Sequence, residues 1–295
     1  MPLAASQIRP PRPGVCTGRL KFYQNRQFQA DYEWQSEVLG TGASGPVRAC
    51  TRRWDGRRFA LKSLTLPTDN TRFQRLVGEV SLMLELDHPG IVRVEAVYQY
   101  RGTVNIVMEL CEGPDLFNAV KEAGRLPEAE AAALTGQILR PLAYLSRKGI
   151  AHRDIKPENF IFRSSDRSSV VLIDFGFATY CSKPLVDACG SPSYVAPENG
   201  TKGYNQKCDM WSLGVLAYVL LTGCQPFRQP VSPAQRRRHA PSVSWDDVDV
   251  SPQAQDFVSS LLRVDPGQRA SAQAAMRHPW LPAGAKPVVT GGMLG

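Results

Sequence analysis

The stretch AHRDIKPENF, residues 151–160, sets a histidine, an arginine, two acids, a lysine, a proline and an asparagine within ten positions. Neither an amphipathic helix nor an alternating strand has that pattern, so it reads as a loop. Phosphoryl transfer needs such a set: a residue to orient the attacking hydroxyl, a cation near the migrating charge, and oxygen ligands for Mg²⁺. Asp154 is the candidate base, Lys156 the cation and Asn159 the amide ligand for one Mg²⁺, with Arg153 free to hold an acidic group elsewhere.

Sequence on either side supplies the remaining parts. VLIDFGFA (171–178) ends an apolar strand in Asp174, followed by Gly176, and suits the second metal contact. Mg²⁺ takes one or two carboxylates plus substrate phosphates, which matches this donor set. LGTGASGPV (39–47) carries Gly40, Gly42 and Gly45 as GxGxxG, alone a weak signal shared with dinucleotide folds. The dinucleotide version opens a helix. Here the loop runs into two strand-like stretches joined by Asp55-Gly56, so a glycine-rich hairpin over phosphates fits better, although Pro46 removes one backbone N–H. FALK (59–62) ends its strand in Lys62, and Glu79, 17 residues on, is a partner for the ammonium group. Any one of these acids alone reads as a solvated loop acid or a cap. The ordered set does not.

Composition excludes several classes. Of 295 residues, 43% are hydrophobic and 21% charged, which is ordinary for a globular chain long enough for two lobes. The seven cysteines contain no CxxC pair, which favours free thiols in a reducing, cytoplasmic setting over disulfides or a zinc site. WSLGVLAYVLLTGC (211–224) is shorter than the roughly 20 residues a bilayer needs, so it reads as a core helix and no stable membrane insertion is expected. The net charge of +8 is spread along the chain, with one dense cluster at Arg236, Arg237 and Arg238, and no nucleic-acid motif accompanies it.

Residues 1–31 read as a disordered basic tail, with an organelle leader left open, and 282–295 as a loose C-terminal tail. Between them, 32 to about 110 is strand-rich with one helical stretch at 72–86, and about 114 to 281 is mainly helical. In the second part, Leu134, Ile138, Leu142 and Leu145 fall on one helix face.

In order and spacing, GTGASGPV, FALK, Glu79, HRDIKPEN, DFG (174–176) and APE (196–198) resemble the eukaryotic protein kinase family. CDMWSLGV (208–215), Arg269 and HPW (278–280) extend the resemblance over roughly residues 32–281. It implies an α+β bilobal fold, ATP and Mg²⁺ as cofactors, and protein substrates. Lys156, two residues after the base, is the serine/threonine pattern. ELCEGPDLF, HRDIKPENF and GSPSYVAPE are similar to the calcium/calmodulin group, above all calcium-dependent protein kinases. No EF-hand loop is present, and the sequence after Trp280 is too short for that group's autoinhibitory helix. A catalytic segment of a longer protein and a calcium-independent relative both fit, and a regulatory partner is left open.

Residue by residue, the resemblance makes Lys62, Glu79, Asp154 and Lys156 catalytic, and Asn159 and Asp174 metal ligands. Leu39, Gly40, Thr41, Gly42, Gly45 and Val47 would cover the nucleotide. Ala60 and Ile161 would join Val47 around adenine, Glu109 and Cys111 would offer it backbone groups, and Met108 would guard the deeper pocket. Asp115, Glu158 and Ser191 would face substrate, which implies Ser/Thr sites with arginine upstream. Glu198, Arg269 and Asp209 would be structural. Asp187, where many relatives carry a phosphorylated threonine, would face Arg153 as a fixed carboxylate and make phosphorylation of the loop unnecessary. A monomer is expected. The alternative from another class is a scaffold that has kept the fold and lost the chemistry.

Overall fold

The computed structural model describes residues 21–42, 45–201, 203–227, 243–246 and 248–282. They belong to two compact units, Met1–Cys111 and Glu112–Gly295.

The first unit is a six-stranded sheet with one helix. Its strands are β1 (Lys21–Gln24), β2 (Tyr32–Gly42), β3 (Gly45–Arg52), β4 (Arg58–Thr65), β5 (Val94–Tyr100) and β6 (Thr103–Glu109), in the order β1-β5-β6-β4-β3-β2. All pairs are antiparallel except β1 with β5. The β3–β4 turn is held by Arg52, whose guanidinium takes Asp55 at 2.9 and 2.5 Å and Glu95 at 2.8 Å. Helix α1 (Asn70–Glu85) starts on Asp69, whose carboxylate accepts the amides of Thr71 and Arg72 and so satisfies two N-terminal donors. It buries Phe73, Val80, Met83 and Leu84.

Composition misled at one place. Residues 21–31, read from sequence as part of a basic tail, are ordered. β1 pairs with β5 from Lys21↔Ala96 to Gln24↔Gln99, and Phe28–Ala30 form a 3₁₀ turn. Phe28 stacks on Tyr32 and meets Tyr98 edge-on, with centroids 5.3 and 5.9 Å apart, while Tyr23 stacks on Tyr98 at 4.7 Å. The Tyr98 hydroxyl donates to Asp31 at 2.7 Å. Aromatic side chains bury enough apolar surface to offset the entropy of ordering a short segment, a contribution that an average over the first thirty residues hides. Residues 1–20, and the basic cluster at Arg236, Arg237 and Arg238, lie outside the described residues.

Gly78 sits exposed inside α1, and a methyl group there would meet nothing within 4 Å. A glycine in a helix interior costs roughly 0.5–1 kcal/mol relative to alanine. Gly78→Ala is therefore expected to raise stability by about that amount in urea unfolding. Unchanged or lowered stability would show that the site is not the open helix surface the structure presents.

The second unit holds α2 (Leu116–Ala123), α3 (Glu128–Arg147), α4 (Lys207–Thr222), α5 (Pro252–Leu261) and α6 (Ala272–Ala275). Two small antiparallel pairs accompany them, β7 (Ile150–Ala151) with β10 (Thr179–Tyr180), and β8 (Phe160–Phe162) with β9 (Val170–Leu172). The predicted face of α3 is inside: Leu134, Ile138, Leu142 and Leu145 are all buried. Helix α4 is buried from Cys208 to Leu221, as the apolar run predicts for a core helix. Among the described residues, no helix is long and apolar enough to cross a membrane. Glu128, at the start of α3, accepts from the Ser251 amide at 2.8 Å, its hydroxyl at 2.6 Å and the Trp280 indole at 3.1 Å. Burial opposes ionisation of Glu128, but these donors outweigh it and hold the carboxyl below its usual range.

Candidate active site

The first unit holds a hairpin and an ion pair. β2 and β3 run antiparallel with Gly40↔Val47, Thr41↔Pro46 and Gly42↔Gly45 opposed, so the glycines end a hairpin rather than open a helix. The two residues at its tip, 43 and 44, lie outside the described residues. Leu39 and Thr41 are exposed on β2. Lys62 is opposite Val47 in the next pair of strands, and its ammonium reaches the Glu79 carboxylate at 2.7 Å, with side chains only 11% and 7% exposed. Strand and helix thus hold the lysine at one point, which a solvated mid-strand lysine would not show. Ala60 and Met108 are buried opposite each other on β4 and β6. Glu109 ends β6, its amide donating to the Arg93 carbonyl and its carboxylate accepting the Arg93 amide, with Cys111 two residues beyond.

The second unit holds the loop at residues 151–160. Its backbone is fixed from below by Asp209, a buried acid near the start of α4 that accepts the amides of His152 and Arg153 at 2.8 and 2.7 Å. Arg153 has φ +71, an unfavourable value for a residue with a side chain, held here by the surrounding bonds. The His152 ring meets Phe175 edge-on at 5.3 Å and bonds the Asp174 carbonyl, tying the two loops together.

Asp154 is buried and crowded with donors. One carboxylate oxygen accepts the Ser191 amide at 2.9 Å and its hydroxyl at 2.8 Å; the other faces Lys156 at 3.0 Å and the Asn159 amide nitrogen at 3.2 Å. Burial alone would raise its pKa, but Ser191 and Lys156 more than reverse this and hold the carboxyl below the usual range. A base that stays ionised, in reach of a cation, is the chemical core of the site.

Asn159 also gives its amide nitrogen to the Asp154 carbonyl at 2.7 Å, so the oxygen is the atom left to face a cation. Asp174 is half-buried and accepts the Gly176 amide at 3.2 Å. One carboxylate and one amide oxygen are hard donors that fit Mg²⁺ shared with substrate phosphates. Among the described residues, no group of three or more His, Cys, Asp or Glu forms an all-protein metal cage.

The residues expected to face substrate are less uniform. Glu158 is exposed in the 3₁₀ turn Pro157–Asn159. Asp115 caps α2, accepting the Asn118 amide at 2.8 Å and its side-chain nitrogen at 2.7 Å. Ser191 is not an outlying contact: its hydroxyl bridges Lys156, at 2.9 Å, and Asp154. Ile161 is in β8, paired with Val171.

Gly190 is required next to Ser191. Its φ is +95, and a Cβ would stand 2.3 Å from the Arg153 carbonyl oxygen, so only glycine lets Ser191 approach the base.

Arg153 meets Asp187 at 3.8 Å, with the Asp187 side chain 69% exposed. Its shorter bonds go to the Phe177 carbonyl at 2.7 Å and the Tyr204 hydroxyl at 3.1 Å. Sequence reasoning did not find Tyr204, which lies in none of the motifs quoted from the sequence. Glu198 and Arg269 form a two-pronged buried pair at 2.5 and 2.9 Å.

The first unit carries a glycine hairpin and a buried lysine–glutamate pair, and the second an acid beside a lysine and an asparagine; each set is of the kind that phosphoryl transfer by protein kinases uses. The chain matches the protein kinase domain over residues 34–281 and belongs to the protein kinase family. It is 36% identical over 262 residues to Myosin light chain kinase A of Dictyostelium discoideum, covering 85% of this chain and 88% of that protein. To the Serine/threonine-protein kinase DCLK3 of Mus musculus it is 34% identical over 284 residues, covering 92% of this chain. The chain spans 36% of the length of mouse DCLK3 and 39% of the human protein. The family match begins at residue 34, so β1 and the Phe28 turn lie outside it.

Proposed function

We propose that this chain transfers the γ-phosphoryl group of ATP to serine or threonine hydroxyls of proteins. The observation that carries the reading is the ionised Asp154 held between Ser191, Lys156 and Asn159. Asp154 orients the substrate hydroxyl and accepts its proton as the oxygen bonds to phosphorus and the bond to ADP breaks. Lys156, 3.0 Å from Asp154, offsets charge on the transferring group, and Lys62, fixed by Glu79, holds phosphate oxygens. Asn159 and Asp174 would hold Mg²⁺, which when bound neutralises phosphate charge.

Within that function, we assign a preference for arginine upstream of the phosphorylated residue. The exposed carboxylate of Glu158 supports it, as does Asp115, which is bridged to Ile161 in the same unit. A peptide array is expected to favour Ser/Thr with Arg three residues before it. Equal use of acidic or proline-directed peptides would overturn the assignment. The segments ELCEGPDLF, HRDIKPENF and GSPSYVAPE support placing the chain in the calcium/calmodulin group, and the free cysteines among the described residues support a reducing, cytoplasmic setting. Activity is expected without phosphorylation of the segment between Asp174 and Glu198.

A further inference from the structure

We infer that the Tyr204 hydroxyl is the principal pin holding the segment between Asp174 and Glu198 in its active arrangement, ahead of the Asp187 carboxylate. This rests on the kinase reading above. Tyr204 is buried, and its hydroxyl accepts from Arg153 Nη1 at 3.1 Å while donating to the Asp187 carbonyl at 2.7 Å. The Cys189 Sγ lies 3.8 Å from the same oxygen. Tyr204 also exchanges both backbone hydrogen bonds with Leu185, each 2.9 Å. One side chain and its own backbone therefore fix the segment at residues 185 and 187.

The path from there to the base is short. Asn199 accepts the Cys189 amide at 3.2 Å and donates to its carbonyl at 2.9 Å. Gly190 then lies on the Arg153 carbonyl, and Ser191 bonds Asp154. Arg153 donates directly to the segment at the Phe177 carbonyl and reaches it a second time through the Tyr204 hydroxyl, which lies beyond the segment and donates to the Asp187 carbonyl. The remaining acid facing it, the Asp187 carboxylate, is 3.8 Å away and mostly in solvent. Exposed ion pairs of that kind contribute little, whereas a buried hydrogen bond to a charged group contributes much more, and its loss leaves a donor unpaired. Tyr204 is thus a positioning residue: it acts on Asp154 through Arg153 and through the segment that carries Ser191.

The test uses the full chain, treated with phosphatase, with Mg-ATP and a serine peptide carrying an upstream arginine. Tyr204→Phe keeps the ring that fills the site and removes one oxygen. It is expected to lower kcat for the peptide by about tenfold or more, with the KM for ATP unchanged. Asp187→Asn is expected to change it by about threefold or less. Hydrogen exchange should quicken in residues 182–191 of Tyr204→Phe while α3 keeps its protection. Wild-type turnover and exchange in Tyr204→Phe would overturn the proposal, as would an Asp187→Asn defect as large as that of Tyr204→Phe. Loss of protection in α3 as well would assign Tyr204 to folding, and equally overturn it. If the wild-type chain transfers no phosphate, the kinase reading fails, and the exchange comparison alone decides the role of Tyr204.

Discussion

Arg269→Met is expected to lower the stability of the second unit by about 3–5 kcal/mol, because it leaves Glu198 buried without its counter-ion. The Arg269 side chain has no solvent exposure, and its guanidinium lies 5.3 Å from the Trp211 ring centre. It is bound to Glu198 by two prongs and to the Lys207 and Arg263 carbonyls besides. Removing one partner forfeits these bonds and strands the other charge. Replacing both, as Glu198→Gln with Arg269→Met, should cost less than Arg269→Met alone, since no unpaired charge then remains. Urea unfolding followed by circular dichroism measures both. A loss below about 1 kcal/mol for Arg269→Met would match an exposed pair and contradict the burial described.

Asp154→Asn is expected to reduce kcat by about 10²–10⁴-fold, the usual contribution of a positioned general base. ATP affinity should be nearly kept, because Lys62 and Glu79 are untouched. The same substitution has a pH signature. The folded carboxyl titrates below its ordinary range, so the folded state favours the ionised form. That stabilisation is complete above the unfolded carboxylate pKa and is lost as pH falls through the lower folded value. The stability difference between wild type and Asp154→Asn should therefore shrink on acidification through that window. A difference independent of pH would mean that Ser191 and Lys156 do not hold the carboxyl ionised.

Much of the site was legible because phosphoryl transfer demands particular groups in a particular order. Asp154, Lys156 and Asn159 are confined to six residues, so their proximity is nearly covalent, and sequence alone brings them together. Lys62 and Glu79 were legible for another reason, complementary charges on a strand and a helix, although β4 does not end at Lys62 as the sequence suggested but runs on to Thr65. What sequence did not reveal depends on contacts between distant segments. Ser191 reads as a small residue near substrate until the left-handed Gly190 is seen to turn it onto Asp154. Tyr204 lies in no motif, and only its partners, 51 and 17 residues away, give its hydroxyl a task. Asp187 had the right charge, but sequence cannot say that its side chain is in solvent. The ordered segment 21–31 was hidden because Phe28 and Tyr23 stabilise it only against Tyr98 and Tyr32.

Phosphoryl transfer by Asp154 without help from a phosphorylated loop is tested most directly by transfer from Mg-ATP to a serine peptide with upstream arginine, using the phosphatase-treated chain with calcium and with a chelator, beside Asp154→Asn. Transfer that survives phosphatase and chelator and vanishes in Asp154→Asn is the predicted result. ATP binding without transfer, or transfer retained in Asp154→Asn, would contradict it.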